Sequence, residues 1–277
     1  MKQLIAIWDD LNLSARIGLG IVLFFAATAI FAPWLAPYGQ SEIVGDVWEP
    51  FFGQFFFGTD QIGRDMLTRL IYGARNTMGL AIVSTTVSFT AGAVLGFVAA
   101  TRGGLVDQVL SRIVDVCISI PTLIASLIIL SALGTATTTL ILVIGVIYAL
   151  PVFRIARAVA MDIEVMDYVE AARLRGEGLW WLMRKEILPN ALTPLAAEFG
   201  VRFCFVFLLI ASLSFLGLGL QPPLADWGAM VRDNADGIAW GFLHPIIPAA
   251  SIALLTIGIN LLIDRWVHKA SGLRDDQ

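Results

Sequence analysis

The chain has 277 residues, of which 58% are hydrophobic and only 14% charged, with a mean hydropathy of +0.81. That composition excludes an ordinary soluble domain and indicates an all-α polytopic membrane protein. The formal net charge of −4 says little, because the distribution of positive residues informs topology more than their sum does; the lipid bilayer is the expected partner and nucleic acid is not.

Cys117 and Cys204 stand alone in apolar segments, without the spacing of a metal site or redox pair, and are expected to be buried packing residues. The lysines are Lys2, Lys185 and Lys269. None follows a glycine, which excludes a Gly-Lys-Ser/Thr phosphate loop and ATP binding by that route.

Residues 1–16 read as an amphipathic approach, with Leu4, Ile5 and Trp8 set against Lys2, Asp9 and Asp10, expected along the cytoplasmic interface. Residues 17–36 form a first span of the roughly 20 residues a bilayer requires, ended by Pro33 and Pro37. Ala27-Thr28-Ala29 resembles a signal-peptide cleavage site, but Asp9 and Asp10 ahead of it argue against that reading. Residues 37–75 are mixed and expected outside, at the membrane surface, where Asp60 and Arg64 pair if that segment is helical. Residues 76–268 form a five-helix core. It opens with a span from Asn76 to Ala100, in which Gly92 and Gly96 either admit a second helix closely or reflect the general glycine content of membrane helices.

Arg102-Gly103-Gly104 makes a turn into a helix over Leu105–Leu133, with Asp107, Arg112 and Asp115 near one end and a kink at Pro121. Thr139–Val159 is the next span, interrupted by Pro151, with Arg154 and Arg157 at its exit. Leu195–Leu220 carries Glu198 and Arg202 one helical turn apart. Charges at that depth are costly, and the two read as an internal ion pair in preference to residues on the substrate path, which is the alternative. Glycines and Pro222-Pro223 close that helix in a bent terminus, Leu224–His244 is a polar outer loop, and Pro245–Val267 is the sixth span. His244 and His268 fall at opposite faces, each as an interface residue, and residues 269–277 are a polar tail.

Between the fourth and fifth spans lies a cationic interruption, Asp167–Pro194, inside a loop over residues 160–190. Asp167 and Glu170 have the spacing of a capping box, so a short helix is predicted from Tyr168, with Ala171, Ala172 and Leu174 as a small-residue surface. Gly176 and Gly178 stop it, and a second helix from Leu179 is predicted to end before Pro189. Trp180, Trp181, Leu182 and Met183 are too apolar for a free loop, so the unit packs on membrane helices, another protein, or both. With both termini cytoplasmic, most of the 18 Lys and Arg fall inside; Arg64, Arg69, Arg75 and Arg232 fall outside, and Arg202 lies within the membrane. The bias obeys the positive-inside rule and makes the interruption cytoplasmic.

Glu170-Ala171-Ala172, then Gly176, then Ile187-Leu188-Pro189, resembles the EAA loop of permease subunits of binding-protein-dependent ABC importers, with Glu186 where the pattern carries an apolar residue. Gly58-Thr59-Asp60 with Gly63-Arg64-Asp65, Leu70 to Arg75, and Ser214 to Gly219 with Trp227-Gly228 are similar to the dipeptide, oligopeptide and nickel permease group. The resemblance implies a six-helix type I ABC importer permease fold with a cytoplasmic coupling helix, in a bacterial inner membrane. It further implies a second homologous permease, two cytoplasmic ATPase subunits holding ATP and Mg, and an external substrate-binding protein. No cofactor is implied on this chain. Asp167, Glu170, Ala171, Ala172, Gly176, Leu188 and Pro189 are then the ATPase-coupling residues, with Glu170 either capping the helix or meeting the ATPase. The substrate class implied is di- or oligopeptides, with nickel, opines, glutathione and oligosaccharides as alternatives. An ion-coupled secondary transporter is the alternative of a different class.

Overall fold

The computed structural model describes residues 12–270, with side chains through Arg265. The amphipathic approach ahead of residue 12 and the tail beyond residue 270 lie outside the described residues. The first helix, α1, spans Leu13–Ile30 and starts earlier than predicted because the Asn12 side chain accepts the Ala15 amide (3.0 Å), an N-cap that takes Leu13 to Arg16 into the helix. After Phe31 a single turn, α2 (Ala32–Leu35), carries Pro33 near its start.

The long helix α3 runs Met66–Arg102 and begins ahead of the predicted Asn76. Asp65 accepts the Thr68 amide (2.8 Å) at its head, and Met66, Ile71 and Ala74 are buried, so this stretch is a packed helical entry rather than surface chain. Gly103 and Gly104 both take positive φ (+59° and +55°) and make the predicted turn. The predicted helix over residues 105–133 is two helices, α4 (Gly104–Ile118) and α5 (Thr122–Leu133), bent 87° at the Pro121 break.

Helix α6 (Thr137–Glu164) runs through Pro151 without interruption, correcting the expectation of a break there. Helix α7 is Asp167–Leu174, and α8 (Leu179–Leu182) leads through a π-helical turn, Met183–Ile187, into α9 (Leu188–Phe215). The predicted stop before Pro189 is absent. In the π turn the Leu188 amide reaches back to the Met183 carbonyl, the Asn190 side chain donates to the Glu186 carbonyl (2.6 Å), and the helical path runs on past a proline that has no N–H to give. At the far end Gly217 (φ +89°) turns the chain while the Leu218 amide bonds the Leu213 carbonyl (2.8 Å). The predicted polar outer loop holds α10 (Trp227–Asp233) and a 3-10 turn (Ala235–Trp240), and α11 (Ile246–Ala270) continues past the predicted start of the tail.

Among the described residues five helical stretches are long and apolar enough to cross a membrane, and the bent α4–α5 pair brings the number to six if it is one span. The chain forms two compact units. One comprises residues up to Ile82, Leu130–Leu140 and those from Phe203 onward; the other comprises Val83–Ile129 and Ile141–Arg202.

In the first unit α1 crosses α11 at Gly18 and Gly258, where a Cβ on Gly18 would stand 2.6 Å from the Gly258 carbonyl oxygen. Its largest buried side chain, Trp227, packs edge-on to Phe25 and Phe207 and donates its indole N–H to the Leu70 carbonyl (2.9 Å). A Cβ on Gly73 would come 2.6 Å from that indole.

In the second unit a Cβ on Gly92 or Gly96 would come 2.5 Å from the Ala149 carbonyl or 2.8 Å from that of Phe153, so these glycines do admit α6 against α3. Asp107 on α4 receives a two-pronged ion pair from Arg157 on α6, and Asp115 lies 4.0 Å from Arg154. Cys204 is buried as expected, whereas Cys117 is exposed.

Trp227→Ala is expected to remove about 3–5 kcal/mol, the usual loss for a buried tryptophan, read as a lower unfolding temperature of the detergent-purified protein. Gly73→Leu, which displaces the same indole, should shift the transition in the same direction.

Candidate functional site

The cationic interruption folds as α7, α8 and the π turn. Met166, in extended backbone (φ −80°, ψ 140°), occupies the N-cap position of α7 with no side-chain hydrogen bond. Asp167 is already helical, one residue too late to cap, which corrects the capping-box reading. Asp167 and the exposed Glu170 lie instead in the first turn, where their charge complements the helix dipole. The far end closes as predicted at Gly176 (φ +83°): its amide bonds the Arg173 carbonyl (2.9 Å) and the Glu177 amide bonds that of Ala172 (3.2 Å). No atom lies within 4 Å of a Cβ built on Gly176, so glycine is required there for conformation, not for space.

The two faces of α7 differ sharply. Val169 and Ala172 are fully buried with Ile163, Leu182, Met183 and Ile187 in the core of their own unit. Tyr168, Ala171 and Leu174 are exposed, Leu174 to 84%, beside an equally bare Val165. The small-residue surface predicted for Ala171 and Ala172 together is therefore split: Ala171 faces out and Ala172 faces in.

Arg173 was not anticipated from the sequence. Its guanidinium forms an ion pair with Glu164, the last residue of α6, and donates to the carbonyl of Thr101 (3.1 Å) in the last turn of α3. One side chain thus ties the short helix to the ends of two long ones. The only sequence signal was the opposite charge of residues 164 and 173, which have no obvious reason to meet until the α6–α7 turn is known. Leu188 and Pro189 lie exposed at the head of α9.

Farther along α9, Glu198 and Arg202 form the ion pair allowed by their spacing, through both Nε (3.0 Å) and Nη2 of Arg202. The pair is largely buried, with side chains 13% and 11% exposed, and the guanidinium lies 5.9 Å from the centre of the Tyr148 ring.

The outer motif is a single buried turn. Asp60 accepts the amides of Ile62 and Arg64 (both 3.0 Å) and the Arg64 side chain (2.6 Å), with Arg69 at 3.3 Å. Asp60 and Arg64 do pair, but across a turn closed by Gly63 (φ +83°), not along a helix. Gly58 (φ +68°) starts the turn and Asp65 ends it as the cap of α3. The five motif residues therefore build one platform, in which Arg64 and the neighbouring Arg69 both face Asp60.

Asn234, which the sequence did not single out, holds this platform by accepting the Gln61 amide (3.1 Å) and the Trp48 indole (3.4 Å). His244 is buried against Phe51 and Phe242 with Nε2 on the Glu49 carbonyl (3.1 Å). Burial pushes its pKa below the ordinary histidine value. Asp226 caps α10 by accepting the Ala229 amide (3.0 Å) and also accepts the Thr77 hydroxyl (3.0 Å); complete burial raises its pKa. Among the described residues no three His, Cys, Asp or Glu side chains gather to hold a metal ion.

Residues 92–269 match the family model for the binding-protein-dependent transport system inner membrane component, and residues 12–49 match that for the N-terminal TM domain of oligopeptide transport permease C. The chain is 35% identical over 272 residues to the di/tripeptide transport system permease protein DppC of Pseudomonas aeruginosa, covering 95% of this chain and 87% of that one. It is 31% identical over 257 residues to the probable D,D-dipeptide transport system permease protein DdpC of Escherichia coli, covering 92% and 84%. It is 32% identical over 276 residues to the dipeptide transport system permease protein DppC of Haemophilus influenzae, covering 95% and 90%. The crystal structure of an amino acid ABC transporter with histidines shares the fold, with a TM-score of 0.54 at 22% identity over 73% of this chain and 94% of that one. The long apolar helices, the short helix with its glycine stop and these relatives lead to one assignment: the chain belongs to the binding-protein-dependent inner membrane transport components, as a non-enzymatic permease subunit of an ABC importer whose ATPase resides on separate subunits.

Proposed function

We infer that this permease forms half of the translocation pathway of an importer for di- and tripeptides. It pairs with a second related permease, receives substrate from an external binding protein, and rests on two cytoplasmic ATPase subunits that hold ATP and Mg. Its termini and the loop bearing α7 lie on the cytoplasmic side, in keeping with the distribution of Lys and Arg. The peptide assignment is supported by relatives at 31–35% identity whose names specify dipeptides and tripeptides, which favours it over nickel, opines, glutathione and oligosaccharides.

The observation that carries the mechanism is the bare outer stripe of α7, Tyr168, Ala171 and Leu174, on a helix held by Arg173 to the ends of α3 and α6. The stripe seats in a groove on an ATPase, with Ala171 permitting close approach. Closure of the ATPase pair on ATP displaces α7, and the Arg173 contacts pass that displacement to both long helices, which alternate between two arrangements. Glu170 acts chiefly through the helix dipole. The Glu198–Arg202 pair serves as an internal brace, because each charge is already matched by the other.

In cells lacking other peptide importers, the assembled system should take up labelled dialanine and not Ni2+; the reverse result would overturn the substrate assignment. Leu174→Glu should leave the chain folded but lower recovery of the ATPase with the permease about tenfold, the weight of one interface anchor. Arg173→Gln should retain the ATPase and its basal hydrolysis while stimulation by loaded binding protein and uptake both fall, since docking survives but transmission does not. For the brace, Glu198→Gln alone should destabilise more than the double change Glu198→Gln with Arg202→Gln, because it takes the facing carboxylate from a largely buried guanidinium. A change of peptide preference in the double variant would instead put the pair on the pathway.

A further inference from the structure

Within the second unit an apolar groove of about 510 Å³ runs between α3, at Phe89, Ala93 and Phe97, and the α8–α9 stretch, at Met183, Leu192 and Phe199. Its size is that of a small-molecule site, and nothing in the coupling mechanism uses it. The polar side chains on its walls are Thr90 and Arg184. The Thr90 hydroxyl is spent on the Thr86 carbonyl (2.8 Å). A solute carrying amides or carboxylates would leave most of them unpaired along such walls, whereas a methylene chain has none to satisfy.

Length and charge point the same way. From Met183 to Phe199 the helical stretch extends roughly 24 Å, enough to line one leaflet's share of a hydrocarbon core about 30 Å thick. At the end near the π turn Arg184 is exposed and makes no ion pair with a described residue, and Trp180 presents its indole with 64% exposure. A cation and a tryptophan at the mouth of an apolar groove match the phosphate and interfacial region of a lipid whose chain lies within.

We propose that this groove holds an acyl chain of an anionic phospholipid, with Arg184 on its phosphate. The bound lipid fills the furrow between α3 and α9 and travels with them as the permease changes state.

The test uses the intact importer, both permeases with their ATPases, in nanodiscs of phosphatidylcholine containing a minority of phosphatidylglycerol. Native mass spectrometry counts the lipids retained, and a photo-crosslinking residue at position 192 reports what occupies the groove. Wild-type protein should retain phosphatidylglycerol in preference to phosphatidylcholine and crosslink to phospholipid. Arg184→Gln should lower that preference about fivefold, the weight of one cation near an anionic headgroup. Leu192→Trp, at a side chain 57% exposed, should fill the groove and release the lipid from an assembled complex. If Leu192→Trp fails to assemble, the Arg184→Gln comparison and the crosslink decide. Unchanged retention in Arg184→Gln, or a crosslink from position 192 to the second permease or to a peptide instead of phospholipid, overturns the proposal.

Discussion

A backbone amide or carbonyl left without a partner in hydrocarbon costs several kcal/mol, and the path of this chain answers to that constraint wherever its regularity is threatened. Pro151, Pro189 and Pro194 each remove a donor inside a long apolar helix, yet the helices continue. Around Pro189 the chain continues through a π turn in which the Leu188 amide reaches the Met183 carbonyl, and the Asn190 side chain donates to the carbonyl of Glu186. At Pro121 the chain breaks instead, by 87°, but only after the Ser119 and Ile120 amides have bonded back to Asp115 and Cys117.

That constraint also explains where the sequence misled. The rule that a helix stops before proline comes from chains with water available to replace a lost bond. In a membrane span stopping is the costlier choice, so Pro151 lies within a continuous helix. Helix starts were displaced for a different reason. Asn12 and Asp65 are caps, but each stands next to residues polar enough to read as interface, and only the burial of Met66, Ile71 and Ala74 distinguishes packed entry from surface chain. The outer motif was legible as a pattern of glycine and charge because positive φ and turn closure demand those residue types. Asn234 was not, since its partners Trp48 and Gln61 are remote in sequence.

The loop that carries α7 divides along the same line. Gly176 announced itself because a left-handed stop has few alternatives to glycine. Which alanine faces outward did not, since Ala171 and Ala172 are equally compatible with either face and only the packing of α7 on Ile163, Leu182 and Met183 separates them. The capping-box spacing was present, but the N-cap must be non-helical, and that position belongs to Met166.

A short helix alone is a poor lever. Eight residues make only a few intrahelical bonds, isolated helices of that length are unstable, and a push on one face would melt it as readily as move it. Three features of α7 remove that weakness in the proposed mechanism. Its inner face is anchored by Val169 and Ala172 in an apolar core, its end is locked at Gly176, and Arg173 links it to the termini of α3 and α6. The Glu164 contact is charged and the Thr101 contact is directed at a backbone carbonyl, so both resist sliding more than apolar packing alone would. Force applied at Leu174 is therefore delivered to helix ends, where displacement acts on a whole span with the longest arm, and not dissipated in the loop. In the proposed mechanism that placement gives a permease with no catalytic chemistry of its own a way to use ATP hydrolysed elsewhere.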